Sequence, residues 1–152
     1  MNGIRRAVFD TSTMVSAALR VGSVPSQALL HAFGCSDLCE SAATLAELEM
    51  VLKRKKFNRY LDSETRAAFL TLVRRNARFF EVTQPDMEAV NPACRDPKDN
   101  KFLALAQVAE ADVIVTSDED LLVLHPWRQI PILRPAEFLA GSARAWKKNV
   151  GG

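Results

Sequence analysis

Two short apolar runs in this 152-residue chain end in the same chemistry, and that repetition restricts the fold more than any other feature. Ile4-Arg5-Arg6-Ala7-Val8-Phe9 leads into Asp10-Thr11-Ser12, and Asp112-Val113-Ile114-Val115 leads into Thr116-Ser117-Asp118. β-Branched and aromatic residues in such runs suit buried strands, whereas an aspartate does not. One aspartate at a strand end can simply cap the helix that follows. Two of them, in a chain where apolar runs alternate with amphipathic helices, predict an α/β fold. Its central sheet is mainly parallel, of about five strands, and covered by helices on both faces. In open sheets of this kind ligands bind outside the carboxyl ends of the strands, where both aspartates fall.

Between these strands the pattern is mostly helical. Residues 14–19 form a short helix ended by Gly22, and Pro25 to Phe33 form a second, with Gly34 just past its end. Residues 38–41 read as a strand. Ser41 caps a helix over 42–55 with Leu45, Leu48, Val51 and Leu52 on its apolar face. Glu47 borders that face, while Glu49 has Lys53 four residues on, an orientation that favours a solvent-exposed pair. Glu47 is therefore assigned to a site and Glu49 to the surface. Ser63 opens a helix to about Arg78 with Phe69, Leu72, Val73 and Ala77 on one stripe. Phe80-Glu81-Val82 reads as a strand, and Thr83 to Arg95, with Pro85 and Pro92, as a long surface connection.

Arg95-Asp96-Pro97-Lys98-Asp99-Asn100-Lys101 precedes the apolar positions Phe102, Leu105, Ala106 and Ala109. Asp96 is a natural N-cap with Pro97 at the first helical position, which puts Asp99 at the third. Both acids sit at the positive end of a helix dipole, which favours ionised carboxylates. Capping and ligation are compatible, because a carboxylate has several lone pairs. After Asp118, residues 119–124 form a short helix terminated by His125-Pro126. Residues 130–133 make a last strand, with Pro131 pointing to a sheet edge, and residues 135–139 a final helical turn. Residues 1–140 read as one domain, and 141–152, with Arg144, Lys147 and Lys148, as a partly disordered tail.

Composition removes several classes of function. The net charge of +2 supports no global polycation argument, although Lys53-Arg54-Lys55-Lys56 and Arg59 form a local basic cluster that could contact phosphates. Three cysteines, an odd number, argue against a disulfide framework and for reduced thiols in a cytoplasmic protein. No apolar run approaches membrane-spanning length and no signal-peptide region opens the sequence. A Gly-rich phosphate loop, a Ser-His-Asp order and a Cys nucleophile are all missing. What the chain offers is acids: Asp10, Glu47, Asp99 and Asp118 at one end of the sheet. Gathering like charges is costly, a divalent cation relieves that cost, and oxygen-only ligands select Mg²⁺ or Mn²⁺ over zinc. Such a cation activates water and stabilises charge at a phosphodiester.

Asp10-Thr-Ser, Glu47-Leu-x-x-Val-Leu-x-Arg, Asp96-Pro-Lys-Asp99-Asn100 and Thr116-Ser117-Asp118-x-Asp120-Leu121 together resemble the PIN-domain ribonucleases, over about residues 4–139. Bacterial PIN proteins of toxin–antitoxin systems, the VapC-like group, are the most similar. The resemblance implies a three-layer α/β/α fold and a Mg²⁺- or Mn²⁺-dependent endoribonuclease acting on RNA, with Asp10, Glu47, Asp99 and Asp118 as metal ligands. Asp96, Asn100 and Asp120 would be accessory, and Ser12 and Thr116 would hydrogen-bond the ligands or the attacking water. It also implies a homodimer and inhibition by a small antitoxin. Ser12 stands where relatives often have Asn, which keeps a polar group but shortens its reach. A dehalogenase-type phosphatase would need a second Asp where Ser12 stands. A receiver-type signalling domain would need a Lys after the last strand, where residues 130–135 offer only Arg134. A catalytically weak PIN scaffold that binds RNA or a protein partner is the remaining alternative.

Overall fold

A computed structural model describes residues 6–141. The expected start of the first strand at residues 4–5 and the expected disordered tail from residue 142 onward lie outside the described residues. Five parallel strands form the sheet: β1 (Arg6–Phe9), β2 (Asp37–Glu40), β3 (Ala77–Phe79), β4 (Val113–Val115) and β5 (Ile132–Leu133), in the spatial order β3-β2-β1-β4-β5. From β1 the chain builds outward to β2 and β3, then returns to place β4 on the other side of β1. This reversal is the topological switch point at which open sheets bind ligands.

Alternation along each strand divides the core in two. Ala7, Phe9, Leu38, Val113 and Val115 face one helical layer: α1 (Thr11–Leu19), α2 (Val24–Cys35), α3 (Ala42–Leu52) and α4 (Ser63–Asn76). Val8, Cys39, Ile114 and Ile132 face the other, built on α6 (Asn100–Ala109) and α7 (Glu119–Leu122) with Trp127. A short α5 (Gln84–Glu88) precedes that second layer, and residues 135–141 are helical. The fold is the three-layer α/β/α arrangement expected.

Several boundaries differ from expectation for local reasons. Helix α1 begins directly at Thr11, because Asp10 accepts from Thr13 N and caps it. Gly34 lies inside α2, which runs to Cys35 with Ser36 as its C-cap. Helix α4 opens at Ser63 as expected, with Asp62 as its N-cap, but it buries Arg66, Leu70 and Val73, whereas Leu72 is exposed and Ala77 already belongs to β3. Buried Arg66 is satisfied mostly by main chain: its Nη1 donates to Leu52 O at 2.7 Å and to Arg54 O at 3.3 Å, which secures the end of α3, and its Nη2 donates to Asn58 Oδ1. Strand β3 occupies 77–79 rather than 80–82, where it pairs with β2. The long connection is held down by Trp127 Nε1 donating to Pro92 O at 2.7 Å and by Arg128 donating to the carbonyls of Asn91 and Ala89.

One buried acid escapes an apolar-pattern reading altogether. Glu40, at the end of β2, is 2% exposed and accepts from Thr44 Oγ1 at 2.7 Å. Burial pushes its carboxyl up from an ordinary 4.5 to about 7, only partly opposed by that hydrogen bond. A folded-state value above the unfolded one gives stability that is full below pH 4.5 and lost as pH rises through about 7. Glu40→Gln should therefore be near neutral at pH 5 and stabilising by up to about 3 kcal/mol at pH 8. Urea unfolding of both proteins at the two pH values checks this, and a gain that does not grow with pH contradicts it.

Candidate active site

The site forms where β1 and β4 end side by side. Phe9 pairs with Val115, and Asp10 N donates to Val115 O. The next residues therefore meet: Thr116 Oγ1 donates to Asp10 Oδ2 at 2.6 Å, and it accepts from Asp118 N at 2.9 Å. One buried hydroxyl thus ties the first acid to the backbone of the fourth. Asp10 is 3% exposed, and burial raises its carboxyl above the usual range, opposed by the bonds from Thr116 and Thr13. Asp118 Oδ1 accepts from Asp120 N at 3.0 Å and so opens α7.

Glu47 comes from the middle of α3 and Asp99 from the turn before α6. A capping box in which Ser41 and Thr44 bond each other's backbone fixes the start of α3. Thr11 Oγ1 donates to Glu47 Oε1 at 2.5 Å, and Lys101 Nζ stands 3.0 Å from Glu47 Oε2. Residues Pro97–Asp99 form a 3₁₀ turn rather than the first turn of the long helix. Asp96 caps that turn through Lys98 N, and the Asp99 side chain caps nothing. Burial first, then the neighbouring carboxylates of Asp118, Asp96 and Asp10, push the Asp99 carboxyl up to about 7.

These residues line one pocket of about 240 Å³, walled by Asp10, Ser12, Glu47, Asp96, Asp99 and Asp118. Arg54 and Lys98 stand at the same pocket. Ser12 Oγ lies 3.4 Å from Asp10 Oδ2, a weak contact. The other predicted residues lie elsewhere. Asn100 Oδ1 accepts from Cys94 N at 2.7 Å and braces the preceding loop. Asp120 contributes its backbone N–H to Asp118. The basic cluster divides. Lys53 pairs with Glu49 at 3.0 Å and, with Lys55, lines a separate groove between α3 and α4. Lys56 and Arg59 lie against the rings of Phe57 and Tyr60. Sequence reasoning missed Thr11, Lys98 and Lys101.

The donor set is made of hard oxygens, the chemistry of Mg²⁺ and Mn²⁺ sites. Asp10, Asp99 and Asp118 could hold such a cation together with Glu47. Among the described residues, however, no three acidic, histidine or cysteine side chains stand ready-made around a metal position. Glu47 accounts for part of this, since both of its oxygens are engaged elsewhere.

Residues 6–120 match the family model described as PIN domain. Over 121 residues the chain is 28% identical to an uncharacterized protein of Methanocaldococcus jannaschii, MJ1680, covering 79% of this chain and 75% of the relative. Among solved structures it is similar to PAE2754 of Pyrobaculum aerophilum, at a TM-score of 0.58 and 13% identity over 90% of this chain and 88% of that one. VapC20 of Mycobacterium tuberculosis, described as a sarcin-ricin loop cleaving toxin, gives a TM-score of 0.54 at 14% identity over 78% and 95%. VapBC2 of Rickettsia felis, bound to a DNA fragment from its promoter, gives 0.53 at 16% identity over 84% and 96%. At such identities the structural likeness is one of fold.

The two kinds of acid should separate by stability. In EDTA, Asp99→Asn should melt higher than wild type, because it removes crowded charge and breaks no cap. Asp10→Ala should melt lower, losing the α1 cap, worth about 1 kcal/mol, and the Thr116 bond. Differential scanning calorimetry reads both, and the reverse order contradicts the assignment.

Proposed function

The chain belongs to the PIN-domain family, and on that premise we propose that it is a Mg²⁺- or Mn²⁺-dependent endoribonuclease that hydrolyses RNA phosphodiester bonds. The observation that carries this reading is the arrival of Asp10, Glu47, Asp99 and Asp118 at one pocket, at the switch point of the sheet. Asp10, Asp99 and Asp118, joined by Glu47, would hold the cation, which would supply an activated water and charge stabilisation at the phosphodiester. Thr116 fixes the Asp10 carboxylate, and Ser12 offers a hydroxyl at the pocket wall. Asp96 and Asp120 order the turns that present Asp99 and Asp118, and Asn100 braces the loop before them. Arg54 and Lys98, both at the pocket, draw a phosphate towards the acids.

The likeness in fold to VapC20 and VapBC2 supports a further reading, that of a toxin of a type II toxin–antitoxin system. On that reading the protein is cytoplasmic, forms a homodimer and is held inactive by a small antitoxin. Among the described residues no helix is long and apolar enough to cross a membrane. The alternative is a PIN scaffold that binds RNA or a protein partner and cleaves weakly, and the engagement of Glu47 by Lys101 is the observation in its favour.

Cleavage of single-stranded RNA with Mn²⁺ and with EDTA decides between them. Asp10→Asn and Asp118→Asn should each lose about 100-fold or more of the Mn²⁺-dependent rate. Full activity in EDTA, or in either variant, contradicts the metal site. Arg54→Gln with Lys98→Gln should weaken RNA affinity for all sequences and flatten its salt dependence. An unchanged salt slope rejects that role.

A further inference from the structure

We propose that Lys101 is a built-in counter-ion of the acidic site: in the metal-free protein its ammonium neutralises Glu47, and a divalent cation enters by displacing it. The inference rests on the metal-site reading above and adds a residue that competes with the metal.

Lys101 lies in the first turn of α6, the end of a helix where a cation is disfavoured by the dipole. Something must offset that, and the structure supplies two acceptors. Its Nζ lies 3.0 Å from Glu47 Oε2 and 2.7 Å from Lys98 O. The pair joins α6 to α3 across 54 residues of sequence, with side chains only 18% and 21% exposed. It is thus far less screened than the surface pair of Lys53 with Glu49, where the lysine is 73% exposed. With Thr11 on Glu47 Oε1, both oxygens of this acid are occupied.

Electrostatics then sets ammonium against metal. Without Lys101, Glu47 would bring an uncompensated charge to the acids already gathered at Asp10, Asp99 and Asp118. With it, an incoming divalent cation meets a positive charge already on one of its ligands. Lys101 also lines a second cleft, of about 530 Å³, with Phe79, Phe80, Val82 and Met87. Ser41 and Glu81 also line this cleft, so the displaced ammonium has polar groups to meet there, and Glu47 is then free to complete the ligand set.

The test is calorimetric titration of Mn²⁺ into wild type, Lys101→Met, Lys101→Arg and Lys98→Met, with thermal melts in EDTA that include Glu47→Gln alone and combined with Lys101→Met. Lys101→Met should bind Mn²⁺ about fivefold more tightly, the size of a partly buried ion pair. Lys101→Arg should bind as wild type does. Lys98→Met, which removes a cation of the same pocket but not the one on Glu47, should gain less than half as much. In EDTA, Lys101→Met should melt below wild type, and the double variant no lower than Glu47→Gln. Lys101→Gln repeats each measurement should the methionine disturb packing. Unchanged or weaker Mn²⁺ binding by Lys101→Met, or an equal gain in Lys98→Met, overturns the counter-ion while leaving the metal site standing. Absence of Mn²⁺ binding by wild type and every variant overturns both.

Discussion

The hydrogen bond from Thr116 Oγ1 to Asp10 Oδ2, 2.6 Å long and wholly buried, joins the ends of the two parallel strands at which the strand order of the sheet reverses. It requires β1 and β4 to be parallel neighbours in the register that sets Phe9 beside Val115. That register in turn requires the apolar alternation that sends Phe9 and Val115 to one core and Val8 and Ile114 to the other. A slip of one residue would exchange the faces and part the two acids. The bond also explains how an aspartate is tolerated at 3% exposure: hydrogen bonds from Thr116 and from the first turn of α1 replace lost water.

Around this fixed pair the remaining acids are held with decreasing firmness. Asp118 is tied through its own N–H to Thr116 and through its side chain to the start of α7. Glu47 depends on the capping box of α3 and on the contact with Thr11. Asp99 caps nothing, and burial first, then the neighbouring carboxylates of Asp118, Asp96 and Asp10, push its carboxyl up to about 7. A site graded in this way keeps structure at one end and unrelieved charge at the other, where a cation would act.

Much of this was legible in the sequence because it rests on local chemistry. A strand that ends in Asp-Thr-Ser or Thr-Ser-Asp announces itself through period-two burial followed by a cap, and both instances lie at the pocket. Glu47 could be separated from Glu49 by the lysine four residues after the latter, and the Lys53–Glu49 pair is present. What escaped depends on contacts distant in sequence. The stripe of α4 was misjudged because Arg66, a charged residue, is buried on main-chain carbonyls of the α3 end. Strand β3 was placed three residues late because Phe80 and Val82 are more apolar, yet they pack on the second core rather than pair in the sheet. Nothing local singles out Glu40 or Lys101, because their partners Thr44 and Glu47 are recognised only in the folded chain.

The claim on which the rest turns is that these carboxylates form one divalent-cation site. Anomalous diffraction from crystals of the wild-type protein soaked in Mn²⁺ tests it most directly. The account predicts a peak bounded by the carboxylates of Asp10, Asp99 and Asp118, with Glu47 turned from Lys101 towards it. Manganese found only at other surface acids, with the Lys101–Glu47 pair intact and nothing bound between Asp10 and Asp118, would contradict it.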